Sequence, residues 1–212
     1  MTEQQSAPVE PVLAPKGPRP WGLAIMLIVT GIGGWYGAMS LITERVKSLI
    51  DPQYTLNCDV NPLVSCSSVM ETWQASLLGF PNPLLGVAGF VAPIAVGVAL
   101  LAGARFARWF WWALLAGVTG AFAFILWLFD QAVYQIGVLC PWCMFVWFFT
   151  IILFWSLLTW CLKAGVLVDS ERAQRFGAAA LPFVWVPIVV TIVGIATAIF
   201  VQFPTLLGLL LG

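Results

Sequence analysis

Four of this chain's five cysteines fall into two pairs whose spacing suits thiol–disulfide chemistry. In VLCPWCMFVW, Val138 to Trp147, Cys140 and Cys143 stand one helical turn apart and open directly onto an apolar, aromatic run. Residues three apart on a helix share a face with Cβ atoms ~5–6 Å apart, beyond the ~3.8 Å of a relaxed disulfide, so a bond fits only where the first turn loosens. Pro141 suits a helix start, because it lacks the amide that would go unpaired there. The partial positive charge of a helix amino terminus favours thiolate over thiol and raises reactivity. A purely structural staple is the weaker reading, since a three-residue bridge closes too small a loop to add much stability.

Cys58 and Cys66 lie in LNCDVNPLVSCSSVMETWQ, where Asn61 and Pro62 mark a turn able to bring the two sulfurs together. The chain has no histidine, which removes the commonest general base and the commonest metal ligand at once. Zinc sites usually pair two short Cys-x-x-Cys knuckles, whereas seven residues separate Cys58 from Cys66. Neither a metal nor a nucleic-acid partner is expected. Four cysteines allow three pairings, and a relay would use more than one in turn through mixed disulfides. If the segment carrying Cys58 and Cys66 folds over the later pair, Cys66 reaches Cys140, and electrons run from Cys58 and Cys66 to Cys140 and then Cys143. Cys161 reads as an inert thiol.

The elements that must position these thiols are membrane helices. The chain has 212 residues, 61% hydrophobic and 8% charged, a composition a water-soluble domain of this size does not tolerate. A crossing needs about 20 apolar residues. Five stretches qualify: Trp21 to Ile42, Leu84 to Gly103, Trp109 to Phe129, Val138 to Trp160 and Pro182 to Phe203. The expected class is an all-α integral membrane protein with a membrane domain over 21–203, embedded among lipids. A polar, proline-rich leader (1–20) is expected to be disordered, and 204–212 forms a short tail. Five crossings place Lys16, Arg19, Arg105, Arg108, Lys163, Arg172 and Arg175 on one side and only Arg45 and Lys47 on the other. Cations in short loops mark the cytoplasmic side, so the amino terminus is cytoplasmic, and the 43–83 segment with Cys58 and Cys66 and the start of the fourth span with Cys140 and Cys143 face outward, where disulfides persist.

Within that outer segment, Ser68 and Glu71 have the form of a capping box, followed by Val69, Met70, Trp73, Leu77 and Leu78 at helical spacing. The spacing predicts a short amphipathic helix lying over the outer ends of the spans. A dithiol opening onto hydrocarbon is placed to meet an acceptor dissolved in the bilayer, and a quinone is the common one. No dinucleotide or phosphate-loop motif offers another sink. Val69, Met70 and Trp73, with Asn82 in FPNPLLG and Trp147 one turn beyond Cys143, are the candidates to line its pocket. For Asn82 a turn or cap role is the equal alternative, and for Trp147 an interfacial anchor. Asp130 reads as a solvated boundary residue.

With these residues in place, the sequence resembles the vitamin K epoxide reductase family, specifically its bacterial disulfide-forming members. The resemblance rests on Cys58-Asp59-Val60 with Ser65-Cys66-Ser67, on Asn82, and on Cys140-Pro141-Trp142-Cys143, and runs from the first span through the fourth. It implies a four-helix bundle around a quinone of menaquinone or ubiquinone type, capped by the outer segment, with the fifth span matching the additional helix of bacterial forms. It further implies Cys58 and Cys66 as the shuttle pair, a transient Cys66–Cys140 bridge, Cys143 as the quinone reductant and Asn82 as a quinone ligand. The family often has tyrosine where Trp147 stands, and tryptophan keeps the aromatic face without the hydroxyl. Many bacterial relatives carry a thioredoxin-like domain after the last span, whereas this chain ends at Gly212. The implied electron donor is therefore a separate thioredoxin-fold thiol oxidase, with the chain sitting in the bacterial cytoplasmic membrane. The expected activity is thiol:quinone oxidoreduction that makes disulfides. Its alternatives are reduction of vitamin K epoxide by the same thiols, a small disulfide-stabilised transporter and a non-catalytic assembly subunit.

Overall fold

The structure, a computed structural model, describes residues 20–51 and 53–204. The leader and tail expected from the sequence lie outside them, apart from Pro20 and Pro204. Five helices are long and apolar enough to cross a membrane: α1 (Trp21–Ile50), α3 (Pro83–Leu101), α4 (Arg108–Asp130), α5 (Pro141–Lys163) and α7 (Trp185–Gln202). Two shorter ones are α2 (Cys66–Met70) and α6 (Glu171–Ala180), and the described residues contain no β-strand.

The bundle is built around α1, which packs along α3 and α5, while α4 packs on α5. Small residues on α1 allow this. The Phe90 ring lies over Gly34, and at Gly97 of α3 a Cβ would stand 2.7 Å from the Ala24 carbonyl oxygen, so only glycine permits that approach. At the end of the bundle remote from the paired cysteines, Leu27, Leu100, Trp111, Leu153 and Leu157 close a packed core that also buries Cys161. Arg108 fastens that end, its guanidinium donating to Asp169 (2.6 Å) and to the Val166 carbonyl (3.0 Å). Helix α7 lies outside the four-helix bundle against α5, joined through Trp155, whose indole N–H donates to Thr191 (3.1 Å).

The elements differ from the sequence expectation in places with physical causes. α1 continues to Ile50 rather than stopping at Ile42, because its charged last turns still satisfy their backbone in a helix and Lys47 pairs with Glu44 at 3.2 Å. The α4–α5 connection is a π-helical turn over Gln131–Ile136, ended by Gly137 in the left-handed region at φ 73°. The short polar segment before the fifth span holds α6, whose Gly177 sits against the backbone of Leu162 and Lys163. The continuous amphipathic helix from Ser68 to Leu78 does not form. α2 ends at Met70, and a separate 3-10 turn runs over Trp73–Ser76.

Candidate redox site

Two local devices bring the dithiols together. Asn61 accepts at its side-chain oxygen from the Leu63 and Val64 amides, both at 2.9 Å, and turns the chain back. The returning stretch pairs in parallel with the residues before α5: the Ser65 amide donates to the Leu139 carbonyl and the Leu139 amide to the Leu63 carbonyl, each at 2.9 Å. This single parallel bridge aligns the residues that follow its two partner stretches, Cys66 and Cys140.

Cys58 and Cys66 are joined by a disulfide. Cys140, Cys143 and Cys161 are free thiols. The Sγ of Cys66 lies 3.4 Å from the Sγ of Cys140, and both residues are buried. Cys140 is also the amino-terminal cap of α5, and its sulfur accepts from the Cys143 amide at 3.4 Å. An amide aimed at that sulfur, together with the helix terminus, stabilises negative charge on it, so that Cys140 can leave readily from a bond to Cys66.

The α2 end is held by Asp59. Its carboxylate accepts from the Cys66 amide (2.7 Å), the Ser67 amide (3.1 Å) and the Ser65 hydroxyl (2.9 Å). Burial pushes this carboxyl up, and the hydrogen bonds from Ser67, Ser65 and Cys66 outweigh that effect, leaving it below the usual value of 3.8. Ser65, extended at φ −151°, is the helix cap and accepts from the Ser68 amide. The expected capping box at Ser68 and Glu71 is therefore displaced by one helical turn, since Asp59 and Ser65 already satisfy the first amides of α2.

Beneath the thiols a cavity of about 680 Å³ runs between α1, α3, α4 and α5. Its wall holds Cys140, Cys143, Val69, Met70, Asn82 and Trp147 among mostly apolar neighbours. Trp147 is buried and meets Phe129 edge-on at 5.9 Å between ring centres. Trp73 does not reach this wall. It is 65% exposed and packs on Trp127, because the helix that would have turned it inward has ended at Met70.

Asn82 serves the chain as well as the cavity. Its amide nitrogen donates to the Gln74 carbonyl at 2.6 Å and its oxygen accepts from the Leu77 amide at 3.1 Å, closing the 3-10 turn over α3. One amide hydrogen is then left to donate into the cavity. The sequence reading missed Gln74 and Gln131, which also line it and are bonded to each other at 3.4 Å, linking the cap to the π-helical turn. A pair 57 positions apart carries no local signal.

The residues present fit a quinone: an apolar slot between the spans, a few buried polar groups at one end, and a thiol in the wall beside them. The model of the vitamin K epoxide reductase family matches residues 25–158, a stretch that contains all four paired cysteines, Asn82 and Trp147. No curated protein matches the chain.

Proposed function

Since the chain belongs to the vitamin K epoxide reductase family, we propose that it is a membrane thiol oxidase that makes disulfides by passing electrons from an extracytoplasmic thiol donor to a membrane quinone. The observation that carries this reading is the 3.4 Å approach of Cys66 to Cys140 with Cys143 in the cavity wall. Three sulfurs thus form a continuous path from the capping segment to an apolar slot.

A donor dithiol reduces Cys58–Cys66 and leaves as its own disulfide. The Cys66 thiolate then attacks Cys140 of an oxidised Cys140–Cys143 pair, forming the Cys66–Cys140 bridge and releasing Cys143 as thiolate. Cys58 attacks Cys66, restoring Cys58–Cys66 and freeing Cys140. The result is the arrangement described above, with Cys58–Cys66 closed and Cys140 and Cys143 free. A quinone bound in the cavity supplies the two-electron acceptor. Closure of Cys140–Cys143 releases two electrons and two protons to it, and a thiolate at either sulfur leaves one proton to be drawn from water. Asn82 and Gln74 supply the polar end that orients a ring carbonyl, and Trp147 a flat wall for the ring face.

The donor that suits this chemistry is a separate thioredoxin-fold protein on the side of the cap, and the cation distribution supports an extracytoplasmic cap in a bacterial cytoplasmic membrane. Disulfide mapping of the purified protein before and after adding a short-chain naphthoquinone tests the proposal. The expected outcome is appearance of a Cys140–Cys143 linkage with stoichiometric hydroquinone. Thiols at Cys140 and Cys143 unchanged by the quinone would sink it.

A further inference from the structure

The Cys58–Cys66 disulfide must meet a donor thiol, yet both cysteines are buried, at 4% and 0% exposure. Leu56, from the stretch that leads back from the end of α1, shares a buried cluster with Cys58 and Cys66, and Tyr54 packs against that cluster. Among the described residues, every hydrogen bond from 53–57 to α1 ends on two side chains of its last turns, Glu44 and Lys47. Glu44 takes most of them. One carboxylate oxygen accepts from the Asn57 amide at 3.2 Å, and the Tyr54 hydroxyl reaches both oxygens at 3.3 and 3.4 Å. The Asn57 side-chain amide adds a contact at 3.5 Å, and Lys47 balances the charge at 3.2 Å.

Glu44 is itself only 5% exposed, which is costly for a carboxylate unless its hydrogen bonds are kept. Asn57 immediately precedes Cys58 in the chain. The arrangement is thus a clasp: one buried carboxylate on a rigid helix grips the backbone next to the thiol-accepting sulfur. We propose that Glu44 is a positioning residue that holds the 53–57 stretch shut over the disulfide, so that thiols reach Cys58 only when this clasp opens. The inference rests on the reading of Cys58 and Cys66 as the pair that accepts electrons. Its consequence is selectivity, because a docked protein donor can pull the stretch away while small thiols in solution find the disulfide covered.

The test uses the full chain in detergent or nanodiscs with Cys58–Cys66 closed, and measures the rate at which dithiothreitol reduces that disulfide, read by alkylation and mass spectrometry of Cys58. Glu44→Ala is expected to raise the rate on the order of ten- to hundredfold, the equivalent of losing hydrogen bonds to a charged acceptor. Glu44→Gln, which keeps an oxygen for the Asn57 amide, is expected to stay within about fivefold of the parent. Oxidation of Cys140 and Cys143 by naphthoquinone should be unaltered in both, separating clasp opening from general loosening. An unchanged Glu44→Ala rate overturns the proposal. Should Glu44→Ala fail to fold, Tyr54→Phe removes one hydroxyl from the clasp and is expected to raise the rate about two- to fivefold, with no change again overturning it. If donor-dependent quinone reduction survives in Cys58→Ala, the electron-entry reading fails while the measured clasp stands.

Discussion

The sulfur of Cys66 faces the sulfur of Cys140 at 3.4 Å although 74 positions separate them in the chain. The approach is set by backbone rather than by the thiols, because the Leu63–Ser65 stretch pairs with Leu139 immediately before both cysteines. That pairing keeps the two sulfurs within reach of each other, as the proposed relay requires.

Removing Cys143 leaves Cys58, Cys66 and Cys140 in place but takes away the thiol with which Cys140 closes its own disulfide. In Cys143→Ala the free Cys140 can exchange only with Cys58–Cys66, so a population of Cys66–Cys140 linked chains with Cys58 free is expected, visible as a crosslinked peptide after non-reducing digestion, with quinone reduction lowered by at least about a thousandfold. Parent-level turnover in this variant would show that Cys143 does not reduce the acceptor.

Asn82 divides its side chain between the 3-10 turn and the cavity. Asn82→Asp keeps the oxygen that accepts from Leu77 but loses the amide donor and sets a carboxylate near the Gln74 carbonyl. KM for a quinone is expected to rise about tenfold or more, consistent with one lost or reversed buried hydrogen bond of 1.5 kcal/mol or so, with a smaller change in kcat. Gln74→Leu should raise KM by less, since its own carbonyl remains to hold Asn82. A KM equal to the parent's in Asn82→Asp removes Asn82 from the binding site.

Asp59 gives the α2 end a defined acid sensitivity. Its carboxyl is held below its ordinary value of 3.8, so the hold on Cys66 and Ser67 is complete above that value and is lost as pH falls through the lower folded one. Amide exchange protection at Cys66 and Ser67, corrected for intrinsic rates, should therefore collapse only in strong acid. Asp59→Asn should show weaker protection with no step there. A collapse already complete near neutral pH would contradict the assignment.

Away from the thiols, the α1–α3 seam tests the packing. A Cβ at Gly97 would press on backbone at Ala24, which cannot swing aside as a side-chain tip can. Gly97→Ala is expected to cost about 1–3 kcal/mol, seen as a lower midpoint of thermal unfolding in detergent. Gly194→Ala on α7, where nothing lies within 4 Å, is the comparison without a clash and is expected not to lower that midpoint.

What could be read from the chain beforehand follows the range of the interactions. The α5 start was legible because its signal is local: Cys140 caps the helix, Pro141 occupies the first position and Cys143 follows on the same face. The spans were legible because each is a single apolar run. The end of α2 was not, since Ser68 with Glu71 has the sequence form of a cap, and only the fold brings Asp59 back to make Ser65 the real one. The same error of continuation turned Trp73 inward on paper and outward in space. Glu44 sits in the sequence as one more charge past the first span, and its burial depends on Tyr54 and Asn57 returning to it.

α1 is 30 residues long, about 45 Å at a helical rise of ~1.5 Å per residue, against a hydrocarbon core of ~30 Å. Its last turns, which carry Glu44 and Lys47, are therefore a post that sets how far the sulfur relay stands above the oil. A thicker bilayer would draw that post down or tilt it, and so shift the height of both dithiols against the oil. Were these thiols to pass electrons as proposed, lipid composition would become a variable of their rate.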